Sequence, residues 1–291
     1  ITDSSTLTVS GASDFTIDTG SNHITLGTAA LTGAIGVSTT GTSNFTLDNT
    51  TTAVNLGTVG VTGALSVTSG AVMTDTGVVT VGGAATFVTD VNDIDITLNS
   101  SNAITGALTF TTQTGGSNGA DITLNNGSTA ISLAGFTTEG NLTLETTNAI
   151  ALTGHTVNGN LSVTSAGAIT QSAALTVSGT SSFTSTGTNT NITLNTDTNA
   201  FTGSVTLTTA GTSGDVSIDN GTTALGIQGT INGALTVRNG QVITDSGTLT
   251  VSGASSFTID NGSNHITLSS AALTGAIGVS TTGTSNFTLD N

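Results

Sequence analysis

Residues 1–49 read ITDSSTLTVSGASDFTIDTGSNHITLGTAALTGAIGVSTTGTSNFTLDN, and residues 243–291 read ITDSGTLTVSGASSFTIDNGSNHITLSSAALTGAIGVSTTGTSNFTLDN. The two stretches agree at 44 of 49 positions, at an offset of 242 residues. A compact enzyme domain has no reason to end by restating its beginning. A repeat array does, because each unit stacks on a neighbour of its own kind. Each copy also contains a shorter pattern, Ile24-Thr25-Leu26 and Phe45-Thr46-Leu47 in the first. A hydroxyl residue between two apolar ones is the period-two signature of a strand with one buried face.

Twelve such triplets form a first column, among them Leu65-Ser66-Val67, Ile96-Thr97-Leu98, Leu161-Ser162-Val163 and Ile192-Thr193-Leu194, each with Thr or Ser in the middle. Successive triplets lie 19 to 31 residues apart. A second column follows each triplet, an Ala before an apolar residue, as in Ala30-Leu31, Ala53-Val54 and Ala71-Val72, with Gln241-Val242 as the variant. Between the columns lie DNGTT, NNGST and NTDTN, residues that tolerate left-handed backbone or bond their own main chain. Two apolar columns and a variable Gly-rich stretch describe a coil with about three sides. The expected fold is therefore all-β, a parallel β-helix (β-solenoid) of about 12 coils with about 19–31 residues each. Residues 1–291 form a single continuous β-solenoid segment in this reading. The three 31-residue steps, such as Leu65 to Ile96, are taken as large coils rather than as one and a half turns. Both ends fall mid-repeat, with Phe287 and Leu289 placed inward like Phe45 and Leu47, so the segment is expected to belong to a longer polypeptide.

Composition narrows the function. The chain has 39 Gly, no Pro, Cys, Trp or Tyr, one basic residue (Arg238) and a formal net charge of −16. Phosphate recognition needs clustered Lys or Arg, so nucleic acid is not an expected partner. No run of 18 apolar residues occurs, and no membrane insertion by a helix is expected. Without cysteine there is neither disulfide nor thiol chemistry.

The stretches GNLSVTSAGAITQSAALTVSGTSSFT (159–184) and NITLNTDTNAFTGSVTL (191–207) resemble the repeat region of filamentous-haemagglutinin-like exoproteins, adhesins of two-partner secretion. That resemblance implies a right-handed parallel β-helix, secretion through an outer membrane by a partner transporter, and a role in adhesion.

Few residues could carry chemistry. His23 and His265 are the same repeat position and His155 stands alone, and all three read as solvated turn residues. A zinc or catalytic site needs converging groups. Asp90, Asp93 and Asp95 form the densest acidic group, and Ca²⁺ would need six or more oxygens. They read as a solvated loop. No catalytic, cofactor or metal residue is assigned, and no cofactor is expected.

The expected function is a non-enzymatic structural shaft of a giant secreted bacterial surface adhesin or extracellular filament, at the cell surface or outside the cell. Its partners would be neighbouring repeats end to end, rods packed laterally into fibres, and a receptor bound through regions outside this segment. Two alternatives stand beside it. One is an ice-binding solenoid surface, which needs two outward Thr per strand where each triplet supplies one hydroxyl. The other is a β-helix polysaccharide-degrading enzyme, which needs paired carboxylates, basic residues or aromatic platforms.

The register has a direct test. Leu161→Asp should cost more than about 3 kcal/mol in urea unfolding, because it buries an unpaired carboxylate, while Ser162→Asp should be nearly silent. Equal damage from both would mean that inside and outside are exchanged.

Overall fold

The computed structural model spans Ile1–Asn291 and describes residues 1–113, 115 and 119–291. Every helical or strand element among them is a β-strand, and the strands pair in parallel in turns of about 21 residues. The chain divides into two compact units, Ile1–Thr147 and Asn148–Asn291.

In the first unit, Ile24–Leu26, Phe45–Asp48, Leu65–Ser69, Ala85–Asn92 and Leu108–Gln113 stack in that order as one sheet. A second side stacks the start of Val54–Val61 on Met73–Asp75, then Ile96–Leu98, Ile122–Asn125 and Leu142–Thr146. The end of Val54–Val61 continues a third side with Val79–Val81 and Ala103–Ile104. In the second unit, one side stacks Ile150–Leu152, Ile169–Gln171, Ile192–Leu194, Val216–Asp219, Leu235–Asn239, Ser255–Ile259 and Ile277–Ser280. Another stacks Leu161–Ser165, Ser181–Thr188, Val205–Ala210, Leu225–Ile231 and Ile243–Val251.

Alternation decides what is inside. In eleven of the twelve triplets both apolar flanks are buried, as in Ile96 and Leu98, while the Thr or Ser between them faces outward. Phe287–Leu289 is the exception: it pairs with Ile266–Leu268 alone, and Phe287 is 37% exposed. In the second column the inward residue is Met73 rather than Val72, and Ile243 rather than Val242. Four residues carry the chain from the inward Ser69 or Asn239 to the next inward position, which leaves Val72 outside at 43% exposure.

The 31-residue steps are not large coils. Leu65 pairs with Ala85, 20 residues on, and Ile96 lies over Met73 on a different side. Leu161 likewise pairs with Ser181 while Ile192 lies over Ile169, and Leu235 pairs with Ser255 while Ile266 lies over Ile243. Each step is one ordinary turn plus part of the next. The triplet at the hidden turn is disguised by volume exchange: Ala85-Thr86-Phe87, Ser181-Ser182-Phe183 and Ser255-Ser256-Phe257 put a small residue and a Phe where neighbouring coils put Leu and Val. The rings of Phe87, Phe183 and Phe257 are fully buried, and the small first residue leaves room for them at close-packed density.

The exchange leaves a cost. The Ser181 and Ser255 hydroxyls are buried without a hydrogen-bond partner, as is that of Ser13 before Phe15. Ser181→Ala should therefore raise stability by about 1 kcal/mol, since an unmet buried hydroxyl costs roughly that much or more and Ala85 already fills the equivalent place. Urea denaturation measures it; a loss of stability would show that the hydroxyl is satisfied.

Candidate functional site

The residue before each triplet sits at a corner, where the chain turns from one side of the coil to the next. There a polar side chain takes the backbone N–H of the equivalent residue one coil on. In the first unit His23 Nδ1 accepts from Asn44 N (3.0 Å), Asn44 Oδ1 from Ala64 N (2.8 Å), Asp95 Oδ1 from Asp121 N (2.9 Å) and Asp121 Oδ1 from Asn141 N (2.7 Å). In the second, Asn160 Oδ1 accepts from Thr180 N (2.8 Å), Asn191 Oδ1 from Asp215 N (2.9 Å), Asp215 Oδ1 from Ala234 N (2.8 Å) and His265 Nδ1 from Asn286 N (3.0 Å). Four of these rungs leave no room for a side chain on the residue before the donor. A Cβ on Gly63, Gly140, Gly179 or Gly233 would collide with the acceptor oxygen of Asn44, Asp121, Asn160 or Asp215. His23 and His265 are thus exposed, as the sequence suggests, but each also holds a rung through an unprotonated Nδ1.

A second device lies inside. Asn49, Asn126 and Asn220 are fully buried. Asn49 Oδ1 accepts from Leu31 N (2.8 Å), 18 residues earlier, and its Nδ2 donates to Leu31 O (2.9 Å) and Ala53 O (2.9 Å). Asn126 repeats this with Ile104 N (2.9 Å), Ile104 O (3.0 Å) and Ala130 O (3.2 Å). Asn220 does so with Phe201 N (2.7 Å), Phe201 O (3.1 Å) and Ala224 O (3.2 Å). The residue before each, Asp48, Asn125 or Asp219, accepts the N–H of Thr50, Gly127 or Gly221, and those three have positive φ of 47°, 53° and 57°. Sequence reading treats DNGTT and NNGST as turns and misses that their Asn is core. The available signal is the recurrence of Asn followed four residues later by Ala, at Asn49, Asn126 and Asn220.

The acidic residues serve corners too. Asp3 takes Gly27 N and Thr28 N, which hold its carboxyl below the usual carboxylate range. The Asp75 carboxylate accepts from Asn99 N (2.9 Å) and Ser100 N (3.2 Å). At Asp245, partial burial pushes the carboxyl up, but bonds from Ser269 and Ser270 outweigh it and hold it below the usual range. Within the acidic group singled out in the sequence, Asp95 holds its rung, Asp93 accepts from Gly119 N (3.0 Å) and Asp90 is exposed. Among the described residues no three His, Cys, Asp or Glu side chains gather as a metal site would require. Arg238 bridges Asp260 (2.7 Å) and Asp219 (3.5 Å). Burial pushes the Asp219 carboxyl up, against the Gly221 N–H and the Arg238 charge. A surface hollow of about 300 Å³ in the first unit, lined by Asp14, Thr16, Gly36, Ser38, Thr58 and Gly60, holds a single carboxylate.

Two sequence expectations change. His155 is not solvated: it is 1% exposed, and burial pushes its imidazole down to about 4. The outer face of the second unit also carries more than one hydroxyl per strand. Ser162, Ser182 and Thr206 form one rank in register, and Thr164, Thr184, Thr208 and Thr230 a second, two residues along the same strands.

His155 sets a pH dependence. With its folded value about 4 and an ordinary value of 6.5, the unfolded chain binds the extra proton between those limits. Stability should fall as pH drops from about 6.5 to about 4, by about 3 kcal/mol at 1.36 kcal/mol per unit. Asp219, shifted upward, has the opposite sign: its ionisation costs stability as pH rises through its folded value. His155→Leu, the residue that Leu175 supplies one coil on, should flatten the acid slope in urea titrations. An unchanged slope would contradict the assignment.

Comparison with known proteins adds one match. No curated protein and no solved structure matches the chain. A family model matches residues 42–111, 139–208 and 213–280, more than half of the chain. Each matched segment runs through several coils with their rungs and buried corners, and the chain belongs to the family described as repeats of unknown function (DUF5649).

Proposed function

We propose that the chain is a non-enzymatic structural repeat, part of the shaft of a large secreted bacterial surface adhesin or extracellular filament. The observation that carries this reading is where the reactive side chains lie. His23, His265, Asp95, Asp121 and Asp215, the groups an enzyme would draw on, each hold a backbone N–H of the next coil. Side chains tied in this way stiffen a stack and are poorly placed to converge on a substrate. Adhesion itself would reside in regions outside the segment, and neighbouring repeats would be its end-to-end partners. The resemblance to filamentous-haemagglutinin-like repeats points to the same place, the cell surface.

The two hydroxyl ranks of the second unit favour a second reading, an ice-binding surface. Hydroxyls within a rank lie about 4.8 Å apart and the two ranks about 6.7 Å apart along the strands, a regular uncharged array that ordered water could match. The readings separate in two experiments. Antibodies against residues 1–291 should label fibres on the outside of intact cells, and the purified chain should not shape ice or depress its freezing point. Labelling only after permeabilisation would overturn the shaft; faceted ice crystals would install the second reading in its place.

A further inference from the structure

Asn-Gly pairs are the weakest bonds of a polypeptide toward self-modification, because the glycine nitrogen can attack the asparagine side chain. The sequence holds seven such pairs, and in five of them the glycine N–H is already engaged: at Asn118-Gly119 it donates to Asp93 Oδ1 (3.0 Å). At Asn126-Gly127 and Asn220-Gly221 the asparagine is buried, and the glycine N–H donates to Asn125 Oδ1 or Asp219 Oδ1. At Asn232-Gly233 and Asn239-Gly240 the glycine N–H donates to Gly214 O and Gly221 O, and the asparagine Nδ2 is held by Thr209 O or by Gln241 O and Val242 O. Asn158-Gly159 also has an exposed asparagine, but one that keeps a partner, and Asn261-Gly262 differs from all six. Both residues are exposed, and among the described residues neither the Asn261 side chain nor the Gly262 N–H has a hydrogen-bond partner. The Asn261 carbonyl accepts from Asn264 Nδ2 (2.9 Å). That bond withdraws electrons from the peptide shared with Gly262 and makes its nitrogen easier to deprotonate.

We propose that Asn261 is a site of spontaneous, structure-selected deamidation. Solvent base removes the Gly262 amide proton, and the nitrogen attacks Asn261 Cγ. The Cγ–Nδ2 bond breaks and ammonia leaves, closing a five-membered succinimide. Water then opens the ring at either carbonyl, giving aspartate or isoaspartate, with one water consumed and one ammonia released. The product adds a negative charge, and the isoaspartate form inserts an extra carbon into the main chain, four residues before the His265 rung. The first copy of the repeat lacks the site, since Thr19 stands where Asn261 does. The two copies therefore diverge with age, although their sequences are nearly the same.

The single Arg238 makes the test simple. The folded full chain is held in mildly alkaline buffer, then unfolded and cut with trypsin into fragments 1–238 and 239–291 for mass analysis. The amide-to-acid mass gain should accumulate in fragment 239–291 and map to Asn261, with Asn239 unchanged, while the buried Asn126 and Asn220 of fragment 1–238 stay unchanged. Asn261→Thr should abolish the gain, and incubation in urea should spread it over the Asn-Gly pairs of both fragments. A folded chain that gains the mass at Asn126, Asn220 or Asn239 as fast as at Asn261, or gains none while the urea sample does, overturns the proposal.

Discussion

A stacked coil must turn several corners per revolution, and at each corner the strand ladder is interrupted. The backbone N–H groups there still need acceptors, since an unmet one costs as much as a lost hydrogen bond. This chain meets the requirement with side chains that reach along the stack. Outside, the residue before a strand accepts the N–H of its counterpart one coil later; inside, Asn49, Asn126 and Asn220 accept from the coil before and return a donor to it. Each coil is thereby completed by its neighbour, which is the physical content of nearest-neighbour stability in a repeat protein.

The rest of the composition follows from that geometry. Glycine is abundant partly because the acceptor oxygens of Asn44, Asp121, Asn160 and Asp215 lie where a Cβ of the next coil would be. Asp, Asn and His interchange at the rungs because each offers an acceptor of similar reach, so the histidines need no catalytic explanation. Lysine has no such use, since it only donates. The acidic balance of the chain is a consequence of its need for acceptors.

Much of the fold was legible in the sequence, and the misses have physical causes. Alternation in the triplets identified the inward flanks in eleven of twelve cases, because period two leaves a strand no other face to bury. Phase failed at Ala85, Ser181 and Ser255, where a small residue paired with Phe conserves volume but leaves the first position of the triplet without a large apolar side chain. Asn49, Asn126 and Asn220 were read as turn residues because a buried amide and a solvated one have the same letter. Only the carbonyls that converge on each of them, from its own turn and from the coil before, distinguish the two. His155 was misplaced for the same reason: burial is a property of the corner that Leu175 and His155 share, and not of histidine.

The central claim is that side chains bridging successive coils hold the corners. Native-state hydrogen exchange tests it most directly, on the Phe201 amide that Asn220 holds. In the parent chain that amide should exchange only through global unfolding. In Asn220→Ala its exchange should quicken by at least about fivefold relative to strand amides of the same unit, since the lost bond is worth roughly 1 kcal/mol or more. A Phe201 amide that exchanges as fast as exposed turns in the parent chain, or that is indifferent to Asn220→Ala, would contradict the account.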